Sequence, residues 1–135
     1  MKAILDTNVF ISGVFFSGPP YEILRAWHHG HLQLVVSAEI LDEYRRVGER
    51  LASSFPGVYI TPFLKLVAVH GDLVPAPVLS ERICEDSSDD IFFACALGSG
   101  CNVIVSGDKH LHKASGYKGI EVYSPSVFIK RFLSS

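Results

Sequence analysis

Short apolar runs alternate along the chain with longer stretches in which apolar residues recur every three or four positions. The apolar runs predict β-strands at residues 2–5, 32–36, 73–74, 102–105 and 120–123. The longer stretches predict helices over residues 8–16, 21–28, 38–51, 57–70 and 86–97, and from Ser124 or Ser126 to Leu133. Such alternation is typical of a parallel sheet covered by helices on both faces, so the pattern predicts an α/β fold.

Length and composition narrow the class of protein. The chain has 135 residues, the size of one ordinary domain, and shows no linker or internal repeat, so we expect a single domain over residues 1–135. A hydrophobic content of 48% and a net charge of −2 predict a globular chain without an extensive basic surface. Any contact with nucleic acid must therefore be local. Charges, glycines and prolines interrupt every apolar stretch well short of about 20 residues, so we expect no membrane association and a cytoplasmic location.

The three cysteines give no evidence of a disulfide framework. Cys84, Cys95 and Cys101 are odd in number and lack the close paired spacing of a zinc site. Free cysteine is among the most often buried residue types, which predicts three buried thiols.

Acidic residues stand at the ends of predicted elements in four places. They are Asp6, Glu39 with Glu43, Asp86 with Asp89 and Asp90, and Asp108. Asp6 and Asp108 each follow an apolar run, and ligands of open α/β sheets collect at the C-terminal ends of strands. Several carboxylates brought together repel one another, so a hard divalent metal ion is the simplest partner that could hold them.

Each acid also has a purely structural interpretation. Asp6 can form an Asx-turn as the chain leaves a strand, and Glu39 can favour the positive N-terminus of its helix. Glu43 can pair with a nearby arginine in solvent, and Asp90 can close a capping box. Asp108 can simply begin a turn or a helix. Recurrence of acids at element ends favours one shared site over these separate roles.

The order of four motifs resembles a PIN domain, most closely the VapC-like toxin components of toxin–antitoxin pairs. The motifs are Leu5-Asp6-Thr7-Asn8-Val9, Ser37-Ala38-Glu39-Ile40-Leu41-Asp42-Glu43, Asp86 to Asp90 followed by Ile91-Phe92-Phe93-Ala94-Cys95-Ala96, and Val105-Ser106-Gly107-Asp108-Lys109-His110-Leu111. The resemblance implies a three-layer α/β/α fold whose central parallel sheet of about five strands has the order 3-2-1-4-5. It also implies a ribonuclease dependent on Mg²⁺ or Mn²⁺, a homodimer, and a cognate antitoxin.

The same resemblance assigns roles to individual residues. The expected catalytic acids and metal ligands are Asp6, Glu43, Asp90 and Asp108, and the expected supporting residues are Thr7, Asn8, Ser106, Asp86, Asp89 and Glu39. Glu39 is the alternative to Glu43, while Asp86 and Asp89 are the alternatives to Asp90. Cations expected to hold the phosphates of an RNA substrate are Lys109, His110, Lys113 and Arg46. His28, His29 and His31 lack helical ligand spacing and predict a surface turn.

Two other functions compete with an RNA-cleaving toxin. One is a PIN fold without catalysis that serves as a scaffold for RNA or protein. The other is a receiver-like regulatory domain, which also uses an acidic Mg²⁺ pocket but needs a phospho-accepting aspartate at the end of its middle strand. Asp72 stands only at the start of the corresponding predicted strand, which disfavours that alternative.

Overall fold

A parallel five-stranded sheet forms the centre of the computed structural model, which describes residues 1–133. The strands are β1 (Lys2–Leu5), β2 (Gln33–Val36), β3 (Asp72–Leu73), β4 (Val103–Val105) and β5 (Glu121–Tyr123). Their order in the sheet is β3-β2-β1-β4-β5, and every neighbouring pair is parallel. This confirms the predicted α/β fold and the 3-2-1-4-5 order. It also excludes the receiver-like alternative, because that fold has the order 2-1-3-4-5.

Helices connect the strands in the pattern that parallel sheets require. They are α1 (Thr7–Phe15), α2 (Pro19–His28), α3 (Ala38–Ala52), α4 (Thr61–His70), α5 (Asp90–Ser99), α6 (Lys109–Lys113) and α7 (Pro125–Phe128). Shorter turns of 3₁₀-helix span Ser87–Asp89 and Tyr117–Gly119, and a π-helical segment spans Ile129–Leu133. Within residues 1–133, no helix combines the length and the apolar character that crossing a membrane would need.

The centre of the sheet is completely buried, which explains why its strands are apolar at successive positions. Ala3, Ile4 and Leu5 of β1 and Ile104 and Val105 of β4 are each at most 1% exposed. A strand covered on both faces cannot alternate between apolar and polar residues, so it reads as a continuous apolar run. The three cysteines are free and buried, as the sequence predicts.

Several predicted boundaries are wrong for local reasons. The helix predicted over residues 57–70 begins only at Thr61, because Gly57 has a φ of 89° and Pro62 lies in the first turn. The helix predicted from Asp86 begins at Asp90, after a 3₁₀ turn that Asp86 caps. The last helix takes Ser124, not Ser126, as its N-cap.

Helix α6 is absent from the sequence prediction. It spans only Lys109–Lys113, with Leu111 as its buried residue, so it is too short to display an apolar period.

Candidate functional site

The carboxyl ends of the central strands β1 and β4 frame a small acidic cavity. Leu5 and Val105 are paired in register, which places the following residues, Asp6 and Ser106, side by side at the sheet edge. The cavity has a volume of about 90 Å³ and is lined by Asp6, Thr7, Asn8, Glu43, Val47, Asp89, Phe92 and Asp108. Four carboxylates from four separate segments of the sequence therefore surround one space.

Asp6 is the most rigidly held of these acids. It is 3% exposed and caps α1, with Oδ1 accepting a hydrogen bond from the Val9 amide at 2.8 Å. Its Oδ2 accepts a hydrogen bond from the hydroxyl of Ser106. Burial raises the pKa of Asp6 to about 6, with further contributions from the charges of Asp108 and Glu43, against the lowering effect of the two hydrogen bonds.

An aromatic pair on α1 and α3 supports the turn that carries Asp6. The ring of Tyr44 in α3 stacks on Phe10 in α1, with centroids 4.2 Å apart, and is fully buried. Its hydroxyl donates a hydrogen bond of 2.5 Å to the carbonyl of Leu5. Because Leu5 precedes Asp6, this bond couples the position of α3 to the end of β1.

Glu43 enters the cavity from α3, next to Tyr44 in sequence. Its Oε2 atom and the hydroxyl of Thr7 are buried and make no hydrogen bond of regular geometry, although the Thr7 and Glu43 side chains interact with each other. Burial raises the pKa of Glu43, the interaction with the Thr7 hydroxyl and the charge of Arg46 lower it, and the charge of Asp86 adds a smaller upward effect. A buried oxygen without a regular hydrogen bond costs free energy, so a cation or a hydrogen-bond donor that entered the cavity would be stabilised by these atoms.

Asp89 and Asp108 complete the acidic wall. Burial raises the pKa of Asp89 to about 6, and the charges of Asp108, Asp86, Glu43 and Asp6 add to the shift. Asp108 caps α6 by accepting from the His110 amide at 2.8 Å. The charges of Asp6, Glu43 and Asp108 all act on Asp89, so the four acids lie close to one another.

Asp90 does not line this cavity, contrary to the position expected from the sequence. Its two carboxylate oxygens accept hydrogen bonds from the backbone amides of Ile83 at 3.1 Å and Cys84 at 2.7 Å. Successive residues of a helix point about 100° apart, so only one of the adjacent acids Asp89 and Asp90 can face the cavity. Asp89 takes that position, while Asp90 anchors the loop before α5.

The other predicted supporting residues divide into two groups. Thr7 and Asn8 line the cavity, and Ser106 holds Asp6 from below the surface. Glu39 instead lines a separate cavity of about 450 Å³ together with Asp90 and the loop of residues 76–82. Asp86 lies outside the cavity lining and binds the amide and hydroxyl of Ser88, which lower its pKa.

Three of the four predicted phosphate-binding cations have acidic partners. Arg46 pairs with Asp42, with Nε 3.1 Å from Oδ2. His110 and Lys113 both lie near Glu85 Oε2, at 3.2 and 3.7 Å. Lys109 is exposed at the start of α6. The exposed histidines His28, His29 and His31 lie at the end of α2 and in the following turn, as predicted.

The acids fit a divalent metal ion by chemistry. All four supply hard carboxylate oxygens, the ligands that Mg²⁺ and Mn²⁺ prefer, and the Glu43 Oε2 and Thr7 hydroxyl oxygens make no regular hydrogen bond. No lysine, arginine or histidine of residues 1–133 lines the cavity to balance their charge. In that same part of the chain, no three histidine, cysteine or carboxylate side chains are arranged to hold a metal ion as they stand.

Sequence reasoning missed the contribution of His112. Its Nε2 atom lies 2.6 Å from the carbonyl oxygen of Ser106, directly behind the acid site. The spacing of His112 carried no signal, because the short helix α6 that positions it could not be predicted.

Comparison with known proteins agrees with this geometry. Residues 2–110 match the PIN domain family. No curated protein matches the chain. The matched region covers β1 to the start of α6 and includes all four acids of the cavity. The chain therefore belongs to the PIN domain family, whose members are generally nucleases.

Proposed function

We propose that this protein is an endoribonuclease that depends on Mg²⁺ or Mn²⁺ and hydrolyses RNA phosphodiester bonds. The observation that carries the proposal is the convergence of Asp6, Glu43, Asp89 and Asp108 on one cavity that no cationic side chain of residues 1–133 lines. An acidic site of this kind repels RNA unless a cation intervenes. A divalent ion would provide both the missing charge and the attraction for a phosphate.

The four acids of the cavity would hold the ion, with Asp89 in the role that the sequence motif assigned to Asp90. When bound, a divalent ion polarises a phosphate oxygen and lowers the pKa of a coordinated water. We expect products with 5′-phosphate and 3′-hydroxyl ends.

The chain itself provides orientation and substrate contacts. The Val9 amide and the Ser106 hydroxyl fix both oxygens of Asp6, so this acid needs little reorganisation when a ligand arrives. Asn8 is exposed at the rim and can bind the backbone of a single strand. Lys109, His110 and Lys113 lie on the adjacent helix α6, where phosphate groups would compete with Glu85 for the last two.

The biological setting we propose is the toxin of a toxin–antitoxin pair, active as a homodimer and restrained by a cognate antitoxin. The support is the motif order of the sequence together with exposed aromatic surface. Phe16 is 48% exposed and packs with Phe15 and Phe55 at centroid distances of 6.4 and 5.6 Å. This cluster and the half-buried Trp27 are the candidate subunit contacts.

A second candidate function is a PIN-fold scaffold that binds RNA or protein without cleaving it. The observation in its favour is that no three potential ligands among residues 1–133 are already arranged around a common metal position.

A cleavage assay distinguishes the two functions directly. Purified protein is incubated with defined RNAs in Mg²⁺ or Mn²⁺, with and without EDTA, and products are mapped. We expect cleavage that EDTA abolishes, whereas RNA binding without cleavage in either metal would favour the scaffold.

The two glutamates of α3 provide an internal control for this site. Glu43→Gln should lower the RNA cleavage rate by about 10-fold or more, because it removes a charge from the ligand set. Glu39→Gln should leave the rate within about 2-fold, since Glu39 lines the other cavity. Initial cleavage rates at saturating Mg²⁺ show which of the two substitutions has the larger effect. A larger loss in Glu39→Gln would show that α3 presents a different face to the substrate.

A further inference from the structure

Ser106 lies between the two strand ends that carry the acid site, and all its hydrogen-bonding groups have partners. Its amide donates to the carbonyl of Tyr123 at 2.9 Å. Its hydroxyl donates to Asp6 and accepts from the amide of Asp108 at 2.9 Å. Its carbonyl, one residue beyond β4, lies 2.6 Å from Nε2 of His112. Ser106 therefore links β1, β4, β5 and α6 at one point.

The role of His112 in this arrangement follows from chemistry. A carbonyl oxygen can only accept, so Nε2 of His112 must carry the proton and donate it. Ser106 is 0% exposed, and its carbonyl stands past the last ladder position of β4. Without the imidazole, this carbonyl would lose the donor that the structure provides for it.

Apart from this contact, helix α6 is held by one buried side chain, by the bond from the Asp108 amide to Ser106, and by exposed ion pairs with Glu85. The helix has five residues, and Leu111 is the one that it buries. The backbone amide of His112 donates a hydrogen bond to the carbonyl of Asp108 at 3.1 Å. The first turn of α6 therefore begins at Asp108. The side chain of His112 thus ties the segment that carries Asp108 to the residue that orients Asp6.

We propose that His112 is a positioning residue of the acid site. By donating to the Ser106 carbonyl, it holds the Ser106 hydroxyl against Asp6 and fixes the distance between Asp6 and Asp108. The catalytic consequence rests on the proposed function, but the positioning itself does not. It would be present in the metal-free protein before any RNA is bound.

Two substitutions with the same functional group test this proposal. His112→Gln places an amide NH₂ at nearly the reach of Nε2, whereas the amide of His112→Asn stops short of the carbonyl. Amide hydrogen exchange of the metal-free proteins is measured at Val9 and Asp108, whose amides bind Asp6 and Ser106. We expect His112→Asn to accelerate exchange at both amides by about 10-fold, His112→Gln to restore most of the protection, and the Gly71 amide at the end of α4 to be unaffected.

Binding and kinetics form the second part of the test. His112→Asn should weaken Mn²⁺ binding and lower kcat for RNA by about 10-fold each, with KM changed less than about 2-fold, and His112→Gln should recover both. His31→Asn, an exposed histidine, is the matched control and should behave as wild type.

The outcomes separate this proposal from the proposed function. If wild-type protein cleaves no RNA while the exchange pattern is as expected, the function fails and the positioning role stands. Lower thermal stability of His112→Asn with unchanged exchange at Val9 and Asp108, and unchanged Mn²⁺ affinity, would overturn the positioning role. Equal behaviour of the Asn and Gln variants would also overturn it.

Discussion

Asp89→Asn should reduce RNA cleavage by about 100-fold or more while leaving the fold intact. Loss of a group that only orients a ligand costs up to about 100-fold at metal sites, and Asp89 is expected to be a ligand itself. Asp89 lines the acidic cavity, and the negative charges of Asp108, Asp86 and Glu43 repel its carboxylate. Removing that charge relieves repulsion, so we expect no loss of stability in the absence of metal.

Asp90→Asn is the matched comparison, because it makes the same chemical change at the adjacent residue. Its carboxylate accepts from the Ile83 and Cys84 amides, and an asparagine can accept only one of these bonds while turning its NH₂ toward the other donor. We expect a loss of about 1–3 kcal/mol in the free energy of unfolding. Cleavage per folded molecule should fall less than in Asp89→Asn.

Cleavage rates and urea unfolding of the two variants, measured side by side, check this pair of expectations. Rates are compared at a temperature where both variants are fully folded. If Asp90→Asn abolishes cleavage without loss of stability and Asp89→Asn retains it, then Asp90 rather than Asp89 acts with Asp6, Glu43 and Asp108.

The second large effect is a pH-dependent difference in stability between wild type and Asp89→Asn without metal. The pKa of Asp89 is raised to about 6 in the folded protein, and that of Asp6 likewise. Because a raised pKa means that the folded state binds more protons than the unfolded state, each acid loses stabilising free energy as pH rises from about 4 to about 6. Asp89→Asn has no titrating carboxyl at this position, so it does not lose this free energy as pH rises. Its stability relative to wild type should therefore increase over this range and stay higher above it.

Metal should reverse that order at neutral pH. A divalent ion at 100 times its dissociation constant adds about 2.7 kcal/mol to wild type, whereas a variant that has lost a ligand gains less. Urea unfolding at pH 4.5 and pH 7.5, in EDTA and in Mn²⁺, measures both effects. The same stability difference between the two proteins at both pH values would show that Asp89 does not titrate with a raised pKa.

Asp89 is a cleaner choice than Asp6 for this experiment. Replacing Asp6 removes charge but also disturbs the acceptors of the Val9 amide and the Ser106 hydroxyl. The relief of repulsion and the loss of hydrogen bonds would then offset each other. For Asp89, no side-chain hydrogen bond caps the helix that it precedes.

The sequence predicts the fold well because the information is local and repeated. Short apolar runs such as Ala3 to Leu5, bounded by polar residues, are typical of strands buried on both faces, and here they are at most 1% exposed. The acids Asp6 and Asp108 could be located for the same reason, since each closely follows such a run. Their positions at neighbouring strand ends then follow from the sheet order.

The choice between Asp89 and Asp90 could not be made from the sequence. A 3₁₀ turn over Ser87–Asp89 precedes α5, and this changes the rotation of both acids relative to a continuous helix. The backbone donors that hold Asp90 come from a loop without a periodic pattern. Likewise, His112 acts through a backbone carbonyl, which no side-chain motif can reveal.

The proposed function depends above all on four acids from separate segments forming one site for a divalent metal ion. Calorimetric titration of Mn²⁺ into metal-free protein at pH 7.5 tests this without any RNA, with wild type, Asp89→Asn and Asp90→Asn measured in parallel. We expect saturable binding to wild type, affinity lowered by about 10-fold or more in Asp89→Asn, and affinity close to wild type in folded Asp90→Asn. Absence of saturable binding to wild type, or equal affinity in wild type and Asp89→Asn, would contradict a shared metal site.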